Sequence, residues 1–138
     1  MSMEEGLKMS RQSEDQSAAI ASFAQLAAKG DADGMLSMVD PAMRKSQGDD
    51  AIRKSFKQAI IPFFADYQAV DGYEKVTHAS LPDGRSGLFH YTYIVTRDGS
   101  KKPVSIALIN DADKVNVLSI TVNQCVKDRH PVTKGRCD

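Results

Sequence analysis

Residues 87–97, GLFHYTYIVTR, decide the fold class of this chain. Large side chains recur at every second position, so that Phe89, Tyr91, Tyr93 and Val95 share one predicted face. Alternation with period two and an enrichment in aromatic and β-branched residues are typical of a β-strand. We therefore predict that residues 87–97 form the central strand of a curled antiparallel sheet.

Three further segments around this strand show the same alternation. We predict strands at residues 68–80, 102–110 and 115–124. The last of these alternates Leu118, Ile120 and Val122, and we expect these residues or their neighbours on the outer sheet face. The connection PDGRSG (82–87) is a turn sequence, because proline presets φ and glycine supplies a positive φ, and RDGS (97–100) is a hairpin signal. We expect the chain to turn again at NDAD (110–113). The four strands therefore form a meander.

Helical patterns come before the sheet. Apolar residues at helical spacing predict helices at 14–29, 32–39 and 51–66, with Asp31 and either Asp49 or Asp50 as caps. Pro62 is expected to kink the third helix or tighten its last turn. The predicted fold is α+β, three N-terminal helices on a curved four-stranded antiparallel sheet, with one domain at residues 13–124 after a disordered segment at 1–12.

The composition excludes some functions and leaves others open. Lys and Arg total 18, as do Asp and Glu, so the formal charge is zero and no basic stripe for nucleic acid is present. No apolar run is long enough to span a bilayer. The sequence has no cofactor signature. Its two strand histidines, His78 and His90, lack the further ligands that zinc needs, so we expect neither a cofactor nor a metal.

The two cysteines, Cys125 and Cys137, lie near the two ends of a polar C-terminal tail at residues 125–138. A disulfide between them would hold this tail and would indicate an oxidising compartment. Two unrelated free thiols are the alternative. The positions favour the disulfide and a periplasmic or secreted location, with a cytoplasmic location still open and no signal segment in the sequence as given.

The phrase ASFAQLAAKGDADGMLSMVDP (21–41), followed by a third helix and a four-strand meander, resembles the nuclear-transport-factor-2-like superfamily, also called cystatin-like. The resemblance covers about residues 14–124 and is nearest to small exported bacterial members of unknown function, some described as lumazine-binding-like. It implies a cone-shaped fold with a pocket at the wide end, and a homodimer through the sheet face.

The resemblance directs attention to five candidate pocket residues: Phe63, Phe89, Tyr91, Tyr93 and Asp40. Isomerase-like members of the superfamily place a carboxylate after the second helix, where Asp40 lies here, although a short hairpin usually follows and this chain continues with Pro41 instead. Asp40 is explained more simply as an acid that ends a helix before proline. Tyrosines at alternate strand positions are more often core residues with satisfied hydroxyl groups.

Three functions follow as expectations. The first is a non-catalytic exported domain that holds a small apolar ligand or a protein partner. The second is an isomerase or dehydratase in which Asp40 and Tyr91 or Tyr93 converge. The third is a docking domain of a cell-envelope assembly. We favour the first, because no motif places a catalytic constellation together.

Overall fold

The computed structural model describes residues 3–111 and 114–122, with side chains from residue 14 onward except residues 72–74. Within these residues the chain is α+β, because the helices come first and are followed by an antiparallel sheet. The fold class predicted from the sequence is confirmed. Cys125, Cys137 and the predicted tail lie outside the described residues, so the disulfide and the domain limits stay predictions.

The first two helices lie where the sequence predicted them, but the first is longer. Helix α1 (Met3–Ala28) begins at Met3, so the disorder predicted for residues 1–12 is wrong from residue 3 onward; Met, Glu, Lys and Arg, which are frequent there, have a high intrinsic helix propensity. Helix α2 (Ala32–Ser37) is capped by Asp31, whose Oδ1 accepts a hydrogen bond from the Gly34 amide at 2.9 Å. The apolar face of α1 is buried at Ile20, Phe23, Ala24 and Ala27.

Helix α3 (Pro41–Gln47) occupies a segment between the second and third predicted helices in which no element was expected. Pro41 was interpreted only as the end of the preceding helix. It also starts a new helix, because proline fits the first helical position, where its missing amide hydrogen is not needed. Gly48, with φ of 88°, separates α3 from helix α4 (Asp49–Ser55), so the predicted cap at Asp49 or Asp50 is wrong.

The third predicted helix consists of three consecutive segments: α4, a π-helix (Phe56–Ile60) and helix α5 (Ile61–Phe63). The Ile61 amide donates to the Phe56 carbonyl, five residues earlier. Pro62 explains the wider turn, because its ring would clash with the carbonyl four residues before it in a regular α-helix. The proline therefore widens the preceding turn. The last turn is tightened as predicted, since the Phe64 amide donates to the Ile61 carbonyl at 3.2 Å and the Ala65 amide to the Pro62 carbonyl at 3.3 Å, each three residues earlier.

The described residues form four strands in the order β1-β2-β3-β4, all antiparallel. Their bounds are β1 Tyr67–Ser80, β2 Ser86–Thr96, β3 Lys101–Asp111 and β4 Lys114–Val122. Gly84 and Gly99 have positive φ in the first two turns, as their turn sequences predicted. Ala112 and Asp113 of the third turn lie outside the described residues.

The helices pack on the inner face of the sheet. On β2 this face carries Leu88, His90, Thr92, Ile94 and Thr96, all buried, whereas Phe89, Tyr91, Tyr93 and Val95 share the outer face. A bulge at Leu118 interrupts the alternation of β4. Leu118 joins a small outer cluster, but Ile120 and Val122 pack against the main core on the inner face, so the bulge separates Leu118 from the other two residues of the predicted alternation.

Candidate functional site

A cavity of about 150 Å³ lies between β4 and the segment that runs from α3 to the π-helix. Ten described residues line it: Val39, Met43, Gln47, Ile52, Ser55, Phe56, Val117, Leu118, Ser119 and Ile120. The wall on the sheet side comes from the edge strand. The opposite wall comes from helices whose turns were set by Pro41 and Pro62.

The lining has an apolar floor and a neutral polar rim. Val39, Ile52, Phe56, Val117 and Leu118 are buried, whereas Gln47, Ser55 and Ser119 are exposed at the mouth. None of the ten side chains carries a charge or titrates near neutral pH. A charged group that entered this cavity would lose hydration without gaining an opposite charge, so the arrangement suits an uncharged apolar group.

An ion pair lies beside the cavity, where α2 leads into α3. Asp40 is buried, and both of its carboxylate oxygens accept hydrogen bonds from the Arg85 guanidinium, at 2.8 and 3.0 Å. These hydrogen bonds hold the pKa of Asp40 below its usual value. The Asp40 amide also donates to the Val117 carbonyl at 2.8 Å, which joins the junction between α2 and α3 to β4. A carboxylate held this way is stabilised as an anion and is poorly suited to take up a proton.

A second polar group of side chains lies beneath α1. The amide nitrogen of Gln16 donates to Asn110 Oδ1 at 2.7 Å, and Gln16 Oε1 lies 2.8 Å from His90 Nε2. Because Gln16 Oε1 can only accept, Nε2 of His90 carries the proton. Gln16 and His90 are both buried, so this network ties α1 to β2 and β3 through satisfied polar groups.

The five residues predicted from the sequence as a pocket do not line this cavity. Phe89, Tyr91 and Tyr93 follow one another along the outer face of β2, where the rings of Phe89 and Tyr91 stack with centroids 6.1 Å apart. Phe63 is buried in the main core, with the Lys102 ammonium 4.8 Å from its ring centroid. Asp40 belongs to the ion pair with Arg85. The structure brings the three β2 aromatics onto one face and places Asp40 and Phe63 elsewhere.

The cavity was not predictable from the sequence, because the residues that line it carry no chemical signature. Ile52 and Phe56 are apolar residues of the helix predicted at 51–66, and they are buried as ordinary core residues would be. The rim residues Gln47, Ser55 and Ser119 are ordinary surface types. The residues that shape its helical wall are Pro41 and Pro62, and their effects on backbone geometry depend on how the helices pack.

Among the described residues, no three His, Cys, Asp or Glu side chains are grouped so that they could hold a metal ion. No helix in these residues combines the length and apolar character needed to cross a membrane. Comparisons with protein-family models, curated proteins and solved structures gave no match to this chain.

Proposed function

We propose that the chain is a non-catalytic binding module that holds a small uncharged apolar group in the cavity between β4 and the α3 to π-helix segment. The observation that supports this proposal is the lining, with a buried apolar floor beneath a neutral polar rim. Such a distribution resembles the core and rim of binding sites in general.

The size of the cavity limits what it holds. Ligand pockets usually measure roughly 300–1,000 Å³, whereas an apolar cavity of about 150 Å³ accepts a molecule the size of benzene. The present cavity is of the smaller kind. We therefore expect the bound group to be a single ring, a short alkyl chain or one apolar side chain of a protein partner.

The isomerase alternative receives no support from the described contacts. It would require Asp40 as a base beside a tyrosine in an apolar pocket. Asp40 is instead paired with Arg85, and Tyr91 and Tyr93 lie on the outer face of β2. Membership of the cone superfamily and a role in an envelope assembly remain proposals that rest on the resemblance, and export remains a proposal that rests on Cys125 and Cys137 as well.

Methyl NMR tests this function, because isoleucine, leucine and valine methyl groups line the floor of the cavity. We expect benzene and phenol to shift the Ile52 and Ile120 methyl signals, and we expect benzoate and benzylammonium, which are charged, to bind at least about tenfold more weakly. The blocking variant is Ser119→Trp at the rim. Its matched control is Ser80→Trp, at an exposed serine on the other edge strand.

Two results would overturn the proposal. One is the absence of methyl shifts at benzene concentrations near its solubility limit. The other is equal binding by Ser119→Trp and the unmodified protein, since a ring at the mouth should obstruct entry. Ser80→Trp should bind like the unmodified protein, which controls for a general effect of an added tryptophan.

A further inference from the structure

The two edge strands of the sheet differ in how they are protected against pairing with another chain. β1 contains Asp71 and Lys75 and has two register irregularities. In β4 the charged residue is Lys114 at its start, and residues 115–122, VNVLSITV, contain no charge, proline or glycine. Charges and bulges are the usual means of discouraging edge pairing, so β4 is the less protected edge beyond its bulge at Leu118.

The edge of β4 already accepts another main-chain segment at one position. Val39 pairs with Val117 as an isolated parallel bridge. The Asp40 amide donates to the Val117 carbonyl at 2.8 Å, and the Val117 amide donates to the Met38 carbonyl at 2.7 Å. This pairing ends where Pro41 turns the chain into α3. In the described part of the chain, residues 119–122 then pair with β3, and no further strand lies beside them.

The cavity opens beside this part of the edge. Residues 117–120 of β4 form its sheet-side wall, and Ser55 and Phe56 face them from the helical side. A strand that continued the Val39 bridge along β4 would pass the mouth of the cavity. Because strand side chains alternate, one of its side chains would point toward the apolar floor.

We propose that β4 and the cavity together bind an extended segment of a protein partner, which adds to the sheet beside residues 119–122 and inserts one aliphatic or aromatic side chain. The central residues of this segment are uncharged, because neither the cavity nor residues 115–122 offers a charge to pair with. Main-chain hydrogen bonds give such strand addition its affinity, and the side-chain pocket gives it specificity. The inserted side chain rests on the proposed function of the cavity, whereas the strand pairing rests on the edge.

The test uses the full chain and a defined peptide, Lys-Thr-Val-Thr-Leu-Thr-Val-Thr-Lys, acetylated and amidated at its ends. Calorimetric titration compares it with versions in which the central Leu is Ala or Asp, and with a version N-methylated at alternate residues. We expect the Ala peptide to bind about tenfold more weakly, and the Asp and N-methylated peptides at least thirtyfold more weakly. Ser119→Trp should weaken binding of the Leu peptide, and Ser80→Trp should not.

The outcomes separate this inference from the function of the cavity. If benzene binds but no peptide does at millimolar concentration, strand addition is wrong and the cavity function stands. If N-methylated and unmodified peptides bind equally, the segment does not pair with β4. If neither benzene nor peptide binds, both proposals fail. A protein dimer that persists in sedimentation and is unaffected by the Leu peptide would assign the edge to a second copy and overturn the inference.

Discussion

Asp40 is buried, with 1% of its side chain exposed, and its Arg85 partner is 35% exposed. A buried carboxylate loses its hydration, and a guanidinium that binds both oxygens replaces much of it. Asp83 also accepts from Arg85 at 2.8 Å, which orients the guanidinium from the turn side. One arginine therefore joins the β1–β2 turn to the junction between α2 and α3.

Replacement of Arg85 by Met is expected to destabilise the fold, because the carboxylate of Asp40 would remain buried without a cation. We expect the free energy of unfolding to fall by about 3 kcal/mol, near the lower end of the range for breaking a buried pair, since Arg85 itself is partly exposed. Urea unfolding at pH 7 measures this change.

Arg97→Met is the matched control, because Arg97 is exposed and lies in the next turn of the sheet. It should change stability by less than about 0.5 kcal/mol. The double variant Asp40→Asn/Arg85→Met should lose less unfolding free energy than the two single variants lose together. Equal stability of Arg85→Met and Arg97→Met would show that the ion pair contributes nothing.

Of the two residues in this ion pair, the sequence pointed to Asp40 but not to Arg85. Asp40 before Pro41 was interpreted as an acid at a helix end, and it does lie between two helices. Its partner is 45 residues away along the chain, in a turn. Local patterns do not specify which turn of a meander folds toward which helix, so Arg85 was not identified from the sequence.

The start of β2 and the end of β3 lie close together at Gly87. A Cβ atom at Gly87 would collide with the carbonyl oxygen of Leu108 and lie 3.1 Å from a methyl group of Leu118. Leu108 is a backbone neighbour in the sheet and has no freedom to move aside. Glycine is therefore needed at position 87 because there is no room for a Cβ atom, and not because of its φ angle.

Gly87→Ala is expected to lower the free energy of unfolding by about 2–3 kcal/mol, because overpacking in a sheet shifts the backbone. The control is Gly84→Ala, where a Cβ would meet open space but φ is +89°. That change should cost only about 1 kcal/mol, the strain of a left-handed alanine. Chemical unfolding of both variants gives the comparison, and a Gly87→Ala loss no larger than that of Gly84→Ala would contradict the steric explanation.

Most elements were predictable from periodicity, and the exceptions have local causes. The four strands agree with the sequence to within two residues at the ends that the structure describes. α3, the π-helix and the bulge at Leu118 were missed. α3 has no buried residue and therefore no apolar periodicity from which a helix could be predicted. The π-helix and the bulge are departures from regular geometry imposed by Pro62 and by strand pairing, and hydrophobic periodicity does not indicate them.

In the molecule as a whole, polar contacts connect the helical layer to the sheet at several places. Gln16 contacts His90 and Asn110, Asp40 contacts Arg85, and Lys102 donates to the Phe63 carbonyl at 2.9 Å. The apolar core between the layers supplies most of the stabilisation. The polar contacts fix how the layers are oriented, and they make part of the stability depend on ionisation.

Acid should destabilise the protein in a defined range of pH. Hydrogen bonds from Arg85 and Arg44 lower the pKa values of Asp40 and Asp49, and those from Thr96 and Ser100 lower the pKa of Asp98 to about 2. A group with a lowered pKa in the folded state stabilises fully above its unfolded pKa of about 3.9, and loses this contribution as the pH falls through the folded value. The urea midpoint should stay constant from pH 7 to 5 and fall between about pH 4 and 2.

Asp98→Asn tests this explanation at one residue. It should be less stable than the unmodified protein at pH 7, and the difference should shrink as the pH approaches 2, where Asp98 takes up its proton in both states. A difference that is the same at pH 7 and pH 2 would show that the side chain acts through shape alone.

The π-helix at Phe56–Ile60 has a consequence for chain length. A hydrogen bond between residues five apart encloses one residue more than the bond of an α-helix, so this turn is the form in which a helix absorbs a single inserted residue. In a regular helix such as α1, one residue more or fewer would rotate everything beyond it by about 100° and turn the apolar face away from the sheet. At residues 56–60 the extra residue is accommodated locally, and Phe56, Ile60 and Phe63 all remain buried. The helical wall of the cavity is therefore where this fold accommodates a change in length without losing its core.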